Sequence, residues 1–242
     1  MSISATPVPI LSDNYAWLLR DSSTGAVGIV DPADAKPIIA AIEKAGGRLD
    51  LILLTHHHAD HIAGVDEVRA RFPGARVVGA KADAARLPKL DQELVEGDEV
   101  TLGASKGRVI DTPGHTRGQI NFFFPDGGVL LSGDTLFSLG CGRLIEGTPA
   151  EMFRSLAKLA ALPGDTLVCC GHEYTESNAR FAVTVEPDNK ALADRYAAVK
   201  KQRAEGKPTI PSRLADEMAE NPFLRAKDVE TFADIRARKD KF

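Results

Sequence analysis

The stretch that decides the fold is His56-His57-His58-Ala59-Asp60-His61, which contains four of the six histidines of the chain. It follows the apolar run Leu51-Ile52-Leu53-Leu54, which we interpret as a buried strand, so the cluster lies where this strand ends. Imidazole and carboxylate groups are the ligands that zinc and iron-type ions take in proteins. A solvated polar loop is the alternative, but so many ligand-type groups directly after a buried strand favour a metal site.

Three further ligand-type residues follow short apolar runs in the same way. The runs and their residues are 108–110 with His115, 129–131 with Asp134, and 166–170 with His172. A glycine stands beside each of the three residues and would permit a tight turn there. Each residue taken singly would more often be structural. Four strand ends that all carry potential ligands nevertheless predict a metal site along one edge of a sheet.

Composition limits the function classes that remain. The chain has 242 residues and a formal net charge of -4, so its overall charge does not suggest a nucleic-acid partner. No apolar run approaches the roughly 20 residues that span a bilayer, and the first residues do not resemble a signal peptide. The three cysteines include an adjacent pair, which favours a reducing compartment over a disulfide framework. We expect a cytoplasmic monomer with no membrane partner.

The chain changes character after His172. Before it, strand-like runs alternate with helical segments, and Thr148-Pro149-Ala150-Glu151 has the residues of a helix start. After it, the pattern predicts helices alone, one of them capped by Ser212. We therefore predict an α/β catalytic domain over residues 1–172 and a small helical substrate-binding domain over residues 173–242.

The ligand pattern resembles the metallo-β-lactamase superfamily, whose signature His-x-His-x-Asp-His is followed by His, Asp and His. The resemblance covers roughly residues 8–175 and implies a four-layer αβ/βα sandwich with the site at one edge of two sheets. It also implies two metal ions, with His57 at a position that does not bind metal. The implied ligands are His56, His58 and His115 for the first ion, Asp60, His61 and His172 for the second, and Asp134 as the bridge.

Two adjacent ions explain why such a site needs no protein nucleophile. Ions roughly 3.5–4 Å apart can share one hydroxide, which then attacks at neutral pH, and one ion can stabilise the oxyanion. The resemblance thus makes Asp134 and Asp60 catalytic through a metal-bound hydroxide. We expect zinc, although iron or manganese would also suit these ligands. Cys141 lies between two glycines, and we interpret it as a small residue in a tight loop rather than a nucleophile.

Further motifs resemble the glyoxalase II family, also called hydroxyacylglutathione hydrolases, and they run over nearly the whole chain. The motifs are Gly133-Asp134-Thr135-Leu136-Phe137, Gly140-Cys141-Gly142-Arg143, Gly171-His172-Glu173-Tyr174-Thr175, Asn221-Pro222-Phe223-Leu224-Arg225 and Arg236-x-x-Lys239-Asp240. The family resemblance implies hydrolysis of the thioester of S-D-lactoylglutathione to glutathione and D-lactate. That reaction is the second step of glutathione-dependent methylglyoxal detoxification.

The same resemblance implies four contacts to glutathione, from Arg143, Tyr174, Arg236 and Lys239. Arginine and lysine suit the two carboxylates of the tripeptide. Some family members carry a second tyrosine where this chain has Ile145, so a hydrogen bond from that position is lost or replaced. Without the resemblance, the basic end of the chain would be interpreted as a solvated helix terminus that complements the helix dipole.

Two other functions remain open at this stage. One is a glutathione persulfide dioxygenase, a superfamily relative with one iron, although the ending Arg-x-x-Lys-Asp argues against it. The other is a non-catalytic module with a structural metal. Seven ligands exceed the four of a closed structural zinc site, which disfavours this second alternative.

Overall fold

The computed structural model describes residues 2–242. The chain divides into two compact units, and we describe each by itself. The first unit comprises Met1–Asp111 and Gly118–Gly133, and the second comprises Thr112–Arg117 and Asp134–Phe242. Among the described residues, no helix has both the length and the apolar character that a membrane span requires.

A mixed six-stranded sheet begins the first unit, with its strands in chain order. They are Ile3–Ile10 (β1), Asn14–Asp21 (β2), Val27–Val30 (β3), Leu51–Leu53 (β4), Arg76–Ala80 (β5) and Gln92–Leu94 (β6). The pairs from β1 to β3 are antiparallel and those from β3 to β6 are parallel. The helices Ala35–Lys44 (α1), Ala59–Ile62 (α2) and Val65–Arg71 (α3) accompany the sheet, with a 3-10 turn at Lys81–Asp83.

An antiparallel meander completes the first unit. Its strands are Glu99–Leu102 (β7), Ser105–Asp111 (β8), Ile120–Phe124 (β9) and Val129–Gly133 (β10), with a 3-10 turn at Pro125–Gly127. It packs closely on the first sheet, since a Cβ added at Gly28 of β3 would lie 3.1 Å from Leu102 Cδ2 of β7. The two sheets therefore share an apolar core, as a sandwich requires.

The second unit is mainly helical. It contains two short strands, Leu136–Phe137 (β11) and Gly140–Cys141 (β12), that form a hairpin, and Leu167–Cys170 (β13), which pairs antiparallel with Ser212–Arg213 (β14). Its helices are Pro149–Ala160 (α4), Thr175–Val185 (α5), Lys190–Ala204 (α6), Leu214–Glu220 (α7), Pro222–Arg225 (α8) and Val229–Asp240 (α9).

The helix start at Thr148 is confirmed, because the Thr148 hydroxyl and the Glu151 carboxylate form a reciprocal capping box. The prediction that Ser212 caps a helix is wrong. Ser212 belongs to β14, and Arg213 is the residue before α7. The division of the chain between residues 172 and 173 stays a prediction.

Candidate metal centre

In the first unit, the segment His56–His61, which we call the ligand loop, follows β4, runs into α2 and brings imidazole groups together. His56 and His61 are buried, and the Nε2 atom of His56 lies 3.2 Å from Nδ1 of His58. Two nitrogen ligands of a tetrahedral zinc ion, each bound at about 2.0–2.1 Å, lie roughly 3.3 Å apart. The distance between these two nitrogens therefore suits two atoms that bind the same metal ion. A hydrogen bond between them would leave neither atom available to a metal.

A buried carboxylate on the neighbouring strand end orients the imidazoles. Asp31 accepts hydrogen bonds from the Thr55 backbone N–H at 2.8 Å and from the Thr55 hydroxyl at 2.6 Å, and lies 3.0 Å from Nδ1 of His61. The Thr55 hydroxyl in turn lies 3.0 Å from Nδ1 of His56. Because both rings have a partner at Nδ1, the opposite nitrogen, Nε2, is the atom of each ring that can bind a metal ion. Carboxylates that contact metal-binding histidines orient them in the same way.

Sequence reasoning missed Asp31 and Asn14, and both have partners in the ligand loop. Asp31 directly follows β3, and its φ of 51° is a left-handed conformation that few residues other than glycine adopt. Its place at a strand end was a signal that could have revealed it. The Asn14 side-chain amide donates to the Asp60 carbonyl and to the Asp60 carboxylate, both at 3.1 Å. Both residues thus help to fix the positions of ligand-type groups.

His57 has different surroundings from its neighbours. Its Nδ1 atom lies 3.0 Å from the carboxylate of Asp83, which is almost completely buried and is also bound by Arg86. Unlike His56, His58 and His61, His57 belongs to none of the groups of ligand-type atoms that lie close enough together to hold one ion among the described residues. This difference is compatible with the prediction that His57 is not a metal ligand.

The other three ligand-type residues come together in the second unit. One oxygen of Asp134 lies 3.5 Å from Nε2 of His115 and 3.4 Å from Nε2 of His172, and all three residues are buried. The Arg143 carbonyl lies 2.8 Å from Nδ1 of His115, so Nε2 is again the nitrogen that can bind a metal ion. A carboxylate between two imidazoles has the arrangement expected of a shared ligand.

Gly142 explains how this cluster can be so compact. A Cβ added there would lie 2.0 Å from the Asp134 carbonyl oxygen and 3.1 Å from Cβ of His115. Any side chain would therefore displace the two segments that carry these ligand-type residues. The Gly-Cys-Gly motif thus has a steric reason at its second glycine.

Cys141 has none of the properties of a catalytic nucleophile. Burial raises the pKa of its thiol to about 11, although the nearby Arg236 guanidinium opposes the shift. Since the thiolate is the nucleophilic form, this cysteine is inert near neutral pH. The interpretation of Cys141 as a small structural residue agrees with this environment.

The four residues predicted to bind glutathione differ in accessibility. Arg143 is exposed, and the Tyr174 ring stacks on the His172 ring with centroids 4.6 Å apart and planes 6° apart. Lys239 is partly exposed and donates to the Ser177 carbonyl at 3.1 Å and to its hydroxyl at 3.2 Å. Burial, with the positive charges of Arg236 and Arg180, lowers the pKa of Lys239 to about 8.

Arg236 is the least accessible of the four. It is buried, donates to the Cys141 carbonyl at 2.9 Å, and pairs with the Asp240 carboxylate at 2.8 Å. Its guanidinium also lies 5.1 Å from the centroid of the Phe223 ring. Much of its donor capacity is therefore used inside the protein.

Comparison with known proteins first defines the class. A family model described as the metallo-beta-lactamase superfamily matches residues 11–172. The crystal structure of ETHE1 from Myxococcus xanthus is 26% identical, with a TM-score of 0.72, and the match covers 98% of this chain and 90% of that chain. The structure of TTHA1623 in a di-iron-bound form is 29% identical, with a TM-score of 0.58, over 69% of this chain and 91% of that one. The chain has the metallo-β-lactamase fold, and its histidine and aspartate clusters fit a binuclear divalent metal site.

The C-terminal residues narrow the family. A model described as the hydroxyacylglutathione hydrolase C-terminus matches residues 173–242. A hydroxyacylglutathione hydrolase of Acidiphilium cryptum is 59% identical over 98% of this chain and 96% of its own length. One of Cereibacter sphaeroides is 54% identical over 100% of both chains. The chain belongs to the hydroxyacylglutathione hydrolase family.

Proposed function

We propose that the chain hydrolyses the thioester of S-(2-hydroxyacyl)glutathione, with S-D-lactoylglutathione as the substrate and glutathione and D-lactate as products. The observation that carries the proposal is the set of histidine and aspartate groups that could hold metal ions, in a chain that matches hydroxyacylglutathione hydrolases over its full length. In cells this reaction would complete glutathione-dependent methylglyoxal detoxification.

Two divalent ions are part of the proposal, and the donor atoms support it. The proposed ligands are His56, His58 and His115 for one ion, Asp60, His61 and His172 for the other, and Asp134 for both. When bound, the ions would activate water at neutral pH and polarise the thioester carbonyl. Mixed imidazole and carboxylate ligands suit zinc, which we propose, and the relative with a di-iron-bound form makes iron the competing candidate.

The chain's own residues would bind and orient the glutathione part of the substrate. Arg143 and Lys239 carry positive charge at accessible positions and suit the two carboxylates of the tripeptide. Tyr174 lies flat against His172, so a substrate held by Tyr174 would lie beside the proposed metal ligand. For Arg236 we propose a contact through the part of its guanidinium that Cys141 and Asp240 leave available.

The reaction adds water to the thioester carbonyl carbon and breaks the carbon–sulfur bond. Asp134 and Asp60 would act as ligands that hold the ions beside the attacking water, and the proton that this water loses would pass to solvent. The glutathione sulfur leaves as a thiolate, and because a thiol with a pKa near 8.5 is a good leaving group, no strong general acid is needed. Cys141, whose thiol pKa is raised to about 11, takes no part as a nucleophile.

The remaining parts of the proposal concern organisation and location. We propose a monomer in the cytoplasm, with residues 1–172 catalytic and residues 173–242 contributing substrate contacts. The three cysteines of the described chain are free and buried, which suits a reducing compartment.

The test is hydrolysis of S-D-lactoylglutathione measured beside metal analysis on one preparation. We expect close to two metal ions per chain and a kcat/KM on the order of 10⁴ M⁻¹s⁻¹ or higher. Single-turnover hydrolysis in ¹⁸O-labelled water should label only the released acid. Oxygen consumption with glutathione persulfide in place of hydrolysis would favour the dioxygenase, and absent turnover with both metals bound would favour the binding module.

A further inference from the structure

The hairpin of β11 and β12, residues Leu136–Cys141, has a conformation that needs support from its surroundings. Its two strands have only two residues each, and Leu139 in the turn has a φ of 56°. A leucine in the left-handed region is strained and persists only where neighbouring groups impose that conformation. The hairpin is buried throughout, so its backbone N–H and C=O groups also need partners.

Two buried side chains four residues apart supply these partners. The Glu217 carboxylate accepts a hydrogen bond from the Leu139 N–H at 2.7 Å. The Asn221 amide donates to the carbonyls of Phe137 at 3.2 Å and Gly140 at 3.0 Å, and to Glu217 at 3.2 Å. Glu217 and Asn221 are both 0% exposed. They thus act as one unit that fixes both strands of the hairpin and its turn.

The charge of Glu217 is balanced within the same network. Arg195 contacts the Glu217 carboxylate, pairs with Glu220 at 2.7 Å and donates to the Ser138 hydroxyl at 2.8 Å. Arg195 places a cation beside the buried Glu217 carboxylate, and removal of either member of such a buried pair is strongly destabilising. A network this complete holds one geometry firmly.

The hairpin in turn supports the proposed metal ligand His172. The Phe137 ring packs edge-on against the His172 ring, with centroids 5.9 Å apart, and against the Tyr174 ring at 5.3 Å. The Phe137 carbonyl is one of the groups that Asn221 holds. A shift of the hairpin would therefore move the ring that lies beside the stacked pair of His172 and Tyr174.

We propose that Glu217 and Asn221 are positioning residues, which hold the hairpin so that Phe137 fixes the orientation of His172 and Tyr174. This gives a role to the Asn221-Pro222-Phe223-Leu224-Arg225 motif, whose first residue is the amide donor. The segment of α7 and α8 thereby helps to orient the proposed metal ligand His172. The inference rests on the proposed function in taking His172 as a metal ligand.

Glu217→Gln and Asn221→Ala test the proposal in the metal-loaded protein. Glu186→Gln is the matched control, because it removes the charge from an ion pair with Arg225 at 2.8 Å in the same helical segment, and the side-chain partners of Glu186 are Arg225 and Asn189 rather than groups of the hairpin. We measure the rate of metal loss to a chelator well below the unfolding midpoint of each variant. Loss should be roughly tenfold faster in both test variants, as for other outer-shell changes, and unchanged in the control. A purely structural role would lower thermal stability and leave the rate of metal loss unchanged.

Phe137→Leu keeps the hydrogen bonds of the hairpin and removes the ring, so it tests the same step if the polar variants do not fold. It should also lose metal roughly tenfold faster. The NMR resonances of the His172 ring in metal-free protein should move in Phe137→Leu and stay in place in Glu186→Gln. Wild-type rates of metal loss and an unmoved His172 ring in Phe137→Leu would overturn the proposal. Neither measurement uses the thioester, so failure of the proposed reaction would be seen separately, as absent turnover in the wild type.

Discussion

The ligand loop His56–His61 and the basic end of α9 were both singled out by charged or metal-binding side chains, yet their surroundings differ. In the loop, Thr55 and Asp31 each contact Nδ1 of a histidine ring, and Nε2 of that ring is then the atom that can bind a metal ion. In α9, the Arg236 guanidinium donates hydrogen bonds to the Cys141 carbonyl and pairs with the Asp240 carboxylate inside the protein. The loop is therefore arranged for a ligand, whereas part of the basic end is arranged for packing.

The difference teaches how far residue type alone predicts a role. A cluster of imidazoles has few structural uses, so its residue types already indicate metal chemistry. An arginine near a helix end can bind a ligand, complement the helix dipole or fill a buried position. Variants that remove one role at a time sharpen this comparison.

The largest effect is expected from the proposed ligands themselves. His58→Ala and Asp134→Asn should each lower kcat/KM by at least about 10³-fold, because the loss of one oxyanion-hole donor alone costs 10²–10³-fold in other hydrolases. Elemental analysis beside steady-state kinetics checks this. Full activity with one metal per chain in Asp134→Asn would contradict its assignment as the bridge.

Asp31→Asn should give the next largest effect, by reversing the hydrogen bonding of His61 with little change in shape. If the amide NH₂ group replaces Oδ1, it faces the Thr55 N–H. If it replaces Oδ2, it faces the Thr55 hydroxyl and Nδ1 of His61, so either orientation loses contacts that the carboxylate makes. We expect metal affinity to fall roughly 10–100-fold, the usual cost of an outer-shell change. Competition with a chromogenic chelator measures it, and wild-type affinity would show that Asp31 only supports the backbone.

Much of the fold could be predicted because local rules agree with the final structure. The capping box at Thr148 is readable since its residues satisfy each other within one turn. The first strand was not, because Pro7 and Pro9 weaken the strand pattern of residues 3–10. Both prolines are tolerated because β1 is an edge strand, which a linear pattern does not reveal.

The parts of the site that escaped prediction depend on distant partners. Glu217 and Asn221 bind hairpin groups 78 and 84 residues earlier in the chain. The sequence of α7 does not show which of its glutamates is buried, because burial depends on contacts with residues far away in the chain. Asp31 is different, because its position at the end of a strand could have been included in the ligand pattern.

Lys239→Ala should raise the KM for S-D-lactoylglutathione by roughly tenfold and change kcat little, because 1.4 kcal/mol corresponds to a factor of ten and the contact is remote from the thioester. Raising salt should narrow the difference from the wild type. Arg236→Ala should raise KM similarly and also lower the unfolding temperature, since it leaves the Cys141 carbonyl without this donor. An unchanged KM in Lys239→Ala would mean that α9 ends in a solvated helix terminus.

A smaller effect should appear in the pH dependence of binding. Since the pKa of Lys239 is lowered to about 8, the ammonium form decreases as pH rises through that value. The wild-type KM should therefore rise by a few-fold between about pH 7 and pH 9, within the tenfold limit set by losing the charge. In Lys239→Ala this rise should vanish. A rise of equal size in both proteins would assign it to another group.

The smallest effect on catalysis is expected from His57→Ala, although His57 lies between two proposed ligands. Its ring contacts the buried Asp83 carboxylate, which keeps Arg86 as a partner after the substitution. We expect the free energy of unfolding to fall by about 1–3 kcal/mol, the usual cost of losing a hydrogen bond to a charged group. Metal content and most of kcat/KM should remain. Chemical denaturation, elemental analysis and kinetics on one preparation separate the two roles: metal loss in folded His57→Ala would make His57 a ligand or an essential support, and the loop would then hold more than its motif assigns.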